Sequence, residues 1–279
     1  MGIDRRVAFL GAGAMGSALI RGALDAGVCS PGLILATDVD AARLAELANR
    51  FGITTSADNA EAAQWGDVLV LAVKPQVVAA VLDQIGPHVR DDQLLISIAA
   101  GVPTAAIASR LGRAARVVRA MPNTPAQLGA GAAGIAAGSA ATEEDLRLAR
   151  QLFDAVGVSV VVDERLLDVV TGLSGSGPAY LFAMVEALEE AGSRAGLPPE
   201  AAGTLAVQTV IGAARLLAES GLGARALREA VTSPGGTTVA GLGALAEAGF
   251  GDLIARVVAV ATARSTELGE EVTRSLGSG

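Results

Sequence analysis

Residues 7–16, VAFLGAGAMG, constrain this chain more than any other stretch of their length. VAFL reads as a buried strand. The turn Gly11-Ala12-Gly13-Ala14-Met15-Gly16 then opens a helix over about residues 14–27, with Ala18, Leu19 and Leu24 on its apolar face. A G-x-G-x-x-G turn between a strand and a helix is the dinucleotide-binding arrangement. Gly11 permits the tight turn, Gly13 lets a pyrophosphate approach the backbone, and Gly16 lets the helix pack closely. The phosphates would sit at the helix N-terminus, where unpaired N–H groups and the helix dipole favour anions.

The chain continues in the same idiom. LILATD at 33–38 reads as a second strand and AARLAELANRFG at 41–52 as a helix stopped by glycine. GIT is a short third strand, and DNAEAAQWG is a short helix opened by the capping residues Asp58 and Asn59. DVLVLAV at 67–73 is an uninterrupted apolar strand of the kind buried on both faces. PQVVAAVLDQIGPHV is a helix with Pro75 in its first turn. QLLISIAAG, RVVRAM, GIAA and VSVVVD read as further strands, with TEEDLRLARQLFDAV as the helix between the last two. Such alternation predicts a doubly wound, largely parallel α/β sheet.

After Asp163 the pattern changes. Helical stretches at about 165–171, 177–195, 199–219, 224–231, 236–248 and 250–275 follow without a convincing strand, and Pro198 and Pro199 stand where one of them begins. Ser176 is a candidate cap and Pro178 suits a first turn. The sequence therefore predicts an α/β fold with an N-terminal Rossmann-type domain over 1–163 and an all-helical C-terminal domain over 164–279. LAVQTVIGAARLLA at 205–218 is apolar on more than one side. That predicts burial against a second copy, hence a homodimer through the helical domain.

Composition narrows the function. A formal charge of −8 argues against a nucleic-acid binder. The single cysteine, Cys29, and the lack of a plausible export signal predict a cytoplasmic protein; glycines break the apolar run after Arg5 and Arg6. No stretch of eighteen clean apolar residues stands out, so no membrane span is expected. There is no metal-ligand cluster, serine triad or histidine–aspartate pair; the one histidine, His88, has no obvious partner. Of 21 basic residues, 20 are Arg and one is Lys, Lys74. A lone lysine in such a chain hints that its position needs an ammonium on a flexible stem.

The strand ends supply further candidates. Asp38 closes the second strand, where an acid accepts bonds from a ribose 2′-OH and repels a 2′-phosphate; Arg43 is near enough to serve a phosphate instead. The sequence thus leans to NADH over NADPH. Ala72, Val73, Lys74 and Pro75 end the fourth strand, and Ala99, Ala100 and Gly101 the fifth. RAMPNTPA at 119–126 brings the amide of Asn123 to the same crevice between two prolines. Farther on, Ser233, Pro234, Gly235, Gly236, Thr237 and Thr238 form a turn before a helix, a nest of backbone N–H groups suited to a small carboxylate.

GAGAMG, LAVKPQ, SIAAGV, RAMPNTPA, TGLSGSGPAY and SPGGTT, in this order and spacing, resemble the pyrroline-5-carboxylate reductase family from end to end. The resemblance implies NAD(P)H as cofactor and hydride transfer to the C=N bond of 1-pyrroline-5-carboxylate in the last step of proline synthesis. It also implies an intertwined dimer and often a ring of dimers. Residues 11–16, Asn59 near the adenosine end, 72–75 and 99–101 would contact the cofactor, and 233–238 the substrate. Thr238 is the expected catalytic residue, its hydroxyl hydrogen-bonded to the ring nitrogen. Three other readings stand beside it. The β-hydroxyacid dehydrogenases use a lysine in the second domain, whereas no lysine follows residue 75 here. Reduction of a related cyclic imine and a non-catalytic NAD(P)-sensing regulator are separated from the main reading by turnover.

Overall fold

The computed structural model describes residues 2–277 and divides into two compact units, one up to Ser176 together with the chain from Ala259 onward, the other from Gly177 to Val258. The first unit opens with β1 (Val7–Leu10), α1 (Ala14–Asp25), β2 (Ile34–Thr37), α2 (Ala41–Phe51), β3 (Thr54–Ser56) and α3 (Asn59–Trp65). It continues through β4 (Val68–Leu71), α4 (Val78–Ile85), β5 (Leu94–Ser97), α5 (Thr104–Arg110) and β6 (Arg116–Met121). β7 (Gly131–Ala137), α6 (Glu143–Asp154), β8 (Gly157–Val161) and α7 (Leu167–Val170) complete the run.

The strands form one sheet in the order β3-β2-β1-β4-β5-β6-β7-β8, parallel throughout except where β7 runs against β6. This is the doubly wound sheet expected from the alternation. Alternate side chains serve two cores. Val7, Phe9, Val68 and Val70 pack with Leu19 and Ile20 of α1 and Leu152 of α6; Ala8, Leu10, Leu69 and Leu71 pack with residues of α3, α4 and α5. The winding reverses between β1 and β4, so Leu10 lies level with both Thr37 and Leu71. The loops leaving β1, β2 and β4 consequently converge at one switch point, where open α/β sheets bind ligands.

Several elements differ locally from expectation. The third strand starts at Thr54 because Gly52 is the left-handed cap of α2, with φ +67°. Pro75 opens a 3-10 turn, and α4 begins only at Val78. Asp58 alone caps α3, accepting from the N–H of Ala60; Asn59 is already helical. Ser176 ends one turn and does not open a helix with its side chain: a π-helical turn, Thr171–Gly175, leads on from α7, and the N–H of Ser176 donates to the carbonyl of Thr171 at 2.8 Å. The strand pattern stops near residue 163, whereas the compact unit runs on to Ser176 because Leu167 and Val170 pack over Gly134 of β7.

The second unit consists of α8 (Gly177–Arg194), α9 (Pro199–Glu219), α10 (Ala224–Ala230), α11 (Thr237–Glu247) and the start of α12 (Phe250–Gly277). α8 and α9 form a hairpin, Gly192 of one lying against Ala202 of the other. Within this chain α9 buries only Ala202 and Ala206, and α8 buries no residue. Phe182, Leu205, Ile211 and Leu253 are exposed. α9 is long and apolar enough to cross a membrane by length and composition alone.

Candidate active site

Each glycine of the turn after β1 has a separate geometric reason. Gly11 has φ +102°, and a Cβ there would stand 2.7 Å from the carbonyl oxygen of Ala72. A Cβ on Gly16 would lie 2.4 Å from the oxygen of Gly11, so only glycine lets α1 start this close to its own entry loop. Gly13 is the opposite case: no atom lies within 4 Å of the Cβ position, leaving that side of the turn open. Gly13 is also the N-cap of α1 and supplies no side-chain cap, so the first-turn N–H groups, including those of Met15 and Gly16, keep their donors for something else. An open face beside uncapped helix donors fits the pyrophosphate of a dinucleotide.

Asp38 lies at the end of β2 and braces this turn. One carboxylate oxygen accepts the N–H of Ala12 at 2.9 Å, the other that of Asp40 at 3.0 Å, and Arg43 approaches at 3.3 Å. Burial pushes the Asp38 carboxyl up, but the Asp40 and Ala12 N–H bonds and the Arg43 charge outweigh it and hold it below the usual carboxylate range. The cap of α2 is Asp40, which accepts from the N–H groups of Ala42 and Arg43. Asp38 therefore joins the strand end to the glycine turn and keeps its charge beside it. Asn59 uses both ends of its amide, accepting from the buried Thr37 hydroxyl at 2.6 Å and donating to Gln84 at 2.7 Å.

On the other side of β1, the N–H of Ala72 continues the ladder to Leu10 at 2.8 Å, and Val73 touches the space above Gly11. Lys74 is exposed and forms no ion pair among the described residues; Pro75 begins the 3-10 turn. After β5, the N–H of Ala99 donates to Ser97, and Gly101 turns the chain with φ +75°. Ala100 is half-buried between them. The expected residues of the first unit on β1, β2, β4 and β5 are thus brought to neighbouring strand ends.

Asn123 is engaged differently. Its carbonyl oxygen accepts the N–H of Ala132 at 2.8 Å, and its amide donates to the carbonyl of Ser174 at 3.0 Å. That carbonyl lies in the π turn, and the residue four positions on, Pro178, has no N–H to offer it. The Asn123 side chain ties the loop after β6 to the π turn with one of its two amide N–H groups and one lone pair of its oxygen.

Two participants were not singled out in the sequence. Gly269 of α12 packs on the loop after β5, where a Cβ would stand 2.5 Å from the oxygen of Gly101. Arg119, 6% exposed, lies 3.4 Å from Asp168 and 3.8 Å from Glu164. Asp168 also accepts from Ser265 at 2.8 Å and Thr266 at 3.1 Å, while Glu164 accepts from the Thr104 backbone and hydroxyl. This cluster holds α12 and the start of α5 around residues 99–103.

The turn at 233–238 belongs to the second unit. Gly235 has φ +71°, and the N–H of Gly236 donates to Ser233 at 3.0 Å, closing the turn. Gly236 is the N-cap of α11 and offers no side chain, so the first N–H groups of α11 are uncapped, with Thr237 and Thr238 exposed. His88 does have a partner, its Nδ1 lying 2.9 Å from the amide of Gln64. Cys29 is buried, and burial pushes its thiol up to about 11. Among the described residues no group of three His, Cys, Asp or Glu could hold a metal ion.

Comparison with known proteins covers both units. A family model described as pyrroline-5-carboxylate reductase dimerisation matches residues 164–268, and one described as NADP oxidoreductase, coenzyme F420-dependent, matches residues 6–101. A pyrroline-5-carboxylate reductase from Methanosarcina acetivorans is 44% identical over 96% of the chain and 99% of the relative. The structure of a pyrroline-5-carboxylate reductase from Coxiella burnetii superposes with a TM-score of 0.91 at 37% identity, covering 95% of this chain and 98% of that one. The Plasmodium falciparum pyrroline carboxylate reductase, solved with NADP bound, gives a TM-score of 0.83 at 28% identity, covering 96% of this chain and 100% of that one.

Proposed function

The chain belongs to the pyrroline-5-carboxylate reductase family, and from that premise we propose how its own residues divide the work. It is an NAD(P)H-dependent oxidoreductase that reduces the C=N bond of 1-pyrroline-5-carboxylate to give L-proline, the last step of proline biosynthesis. It forms a homodimer through its dimerisation segment. Assembly of dimers into a ring is our proposal, as is placement in the cytoplasm, which the one buried cysteine suits. We also propose that the apolar surface of α9 meets the partner and not lipid.

The observation that carries the assignment of residues is the turn at 11–16, open at Gly13 and backed by uncapped helix donors. In this reading residues 11–16 hold the pyrophosphate, Asp38 and Asn59 lie toward the adenosine, and 72–75 and 99–101 line the path to the nicotinamide. When bound, the dihydronicotinamide supplies the hydride. Residues 233–238 take the substrate carboxylate on the first N–H groups of α11. The Thr238 hydroxyl hydrogen-bonds the ring nitrogen and fixes the imine in one orientation. A protonated imine loses charge as it is reduced, so the chain's main contribution is alignment. Functionally, residues 1–163 act as the dinucleotide-binding domain and 164–279 as the dimerisation and substrate-binding domain. Asp38, ionised and already paired with Arg43, favours NADH over a nucleotide with a 2′-phosphate.

The test is oxidation of NADH and, separately, NADPH by the purified protein with pyrroline-5-carboxylate. Imine-dependent turnover, faster with NADH, is the expected result. Equal or faster turnover with NADPH would overturn the role given to Asp38. Cofactor binding without turnover on this imine would redirect the assignment to other cyclic imines.

A further inference from the structure

A second apolar surface lies on the sheet, outside the helices of the dimerisation unit. β8 is an edge strand of sequence GVSVV, without the charge or proline that usually protects such an edge. Val158 and Val160 are 65% and 57% exposed. Ser159 between them points the opposite way, is buried, and donates to Asp154 at the end of α6. The register sets Val158 beside Ala132 and Val160 beside Gly134, and a Cβ on Gly134 would lie 2.9 Å from both methyls of Val170. Paired residues share a face, so both valines stand on the α7 side of the sheet, flanking α7. There Leu167 is turned inward, while Leu166, Val169 and Leu173 form an outward stripe at helical spacing. The valines thus lie on the sheet face that α7 packs against, and α7 carries this exposed apolar stripe.

We propose that a second copy of the chain covers this area, so that the dimer interface runs beyond the helical unit and over the β8 edge. The proposal rests on the homodimer assignment. Continuity identifies the occupant: the dimerisation segment begins at residue 164, just past β8, and already contains Leu166, Val169 and Leu173. Val158 and Val160 stand on the strand that leads into that segment, on the sheet face that α7 covers. Exposed apolar area of this kind on a sheet edge marks an interaction site, and here the sequence beside it is already committed to self-association.

The test is sedimentation equilibrium of the full chain, wild type beside the double variant Val158→Glu/Val160→Glu and the single variant Val160→Thr. Both valines are surface groups in the single chain, so far-UV circular dichroism of the variants should match wild type. Two unpaired carboxylates on an apolar contact should weaken self-association by on the order of 100-fold or more. The double variant should then sediment near 27.7 kDa where wild type sediments at twice that or more. Val160→Thr keeps the β-branched shape and should weaken association by about 10-fold, which preserves the test if the double variant misfolds. Wild-type association by both variants would overturn the extended interface and leave the homodimer standing. A monomeric wild type would overturn both.

Discussion

Gly13→Ala and Gly16→Ala, a conservative pair three residues apart, should have opposite consequences. At Gly13 φ is −63° and ψ −174°, an extended conformation open to any residue, and nothing lies within 4 Å of the new methyl. Reduced unfolded-state entropy favours alanine by about 0.4–1 kcal/mol, and the poorer N-cap propensity of alanine costs a similar amount. Thermal stability should therefore change by less than about 2 °C. The methyl would, however, occupy the open side of the turn. Loss of one charge-assisted bond to the pyrophosphate costs about 1.5–3 kcal/mol, or roughly 10- to 150-fold in NADH affinity. At Gly16 the methyl meets a backbone oxygen at 2.4 Å, which cannot swing aside as a side chain can. Overpacking of that kind costs about 1–3 kcal/mol and should lower Tm by roughly 2–10 °C. The assays are thermal unfolding without ligand and titration of NADH by its fluorescence. Unchanged NADH affinity in Gly13→Ala, or a Tm loss as large as that of Gly16→Ala, would refute the reasoning.

Three further outcomes are expected. Asp145→Asn should destabilise the fold by about 3 kcal/mol at neutral pH, because the fully buried carboxylate pairs with Arg116 and accepts from the backbone and hydroxyl of Thr142. Burial raises the Asp145 carboxyl, but Arg116 and Thr142 more than reverse this, so its folded pKa is depressed and the contribution exists above the unfolded value. In urea titrations the gap between wild type and variant should shrink as pH falls below about 3.9; a gap constant down to pH 2 would contradict this. Thr238→Ala should lower kcat/KM for the imine by roughly 10- to 100-fold with NADH affinity unchanged, as stopped-flow and titration would show, and near-normal kinetics would remove the proposed role. Asn123→Leu strands the N–H of Ala132 and the carbonyl of Ser174, and should cost about 2–4 kcal/mol by chemical unfolding; Asn123→Asp, which keeps the acceptor for Ala132, should cost less.

The doubly wound sheet was legible because its signals are local. Four-residue apolar strands and amphipathic helices announce their period within one window, and GAGAMG carries its geometry in its glycines. What escaped was set by partners distant in sequence. RVVRAM looks like a buried strand, and nothing adjacent says that Arg119 meets Asp168, 49 residues on, or that Ser265 reaches the same carboxylate from 97 residues further. Asn123 looked available because a polar amide between prolines commonly faces a site. The sequence does not show that one of its two N–H groups is taken by the carbonyl of Ser174, whose helical partner position is occupied by Pro178. Ser176 resembled a cap because the sequence does not reveal the π turn that carries the chain straight into α8.

An acidic chain that must hold two anionic ligands faces an evident difficulty, and the structure suggests one answer used twice. With a net charge of −8 and one lysine, it has little cationic surface to spare. At Gly13 and again at Gly236, a glycine caps a helix without supplying a side chain, close to a positive-φ glycine that sets the turn. Either site presents backbone donors and a helix dipole in place of a basic residue. Backbone donors do not titrate and lose no side-chain entropy on binding, so both proposed contacts should hold across the pH range in which the fold is stable. The local carboxylate does not contradict this: Asp38 spends its charge on Ala12 N–H and Arg43, bracing the first turn. Replacing Asp38 by Asn should accordingly loosen the glycine turn as well as relax the preference for NADH. NADH affinity should fall even as the NADPH to NADH ratio rises, whereas a variant that gained NADPH affinity with NADH binding intact would show that Asp38 reads the ribose and does nothing for the turn.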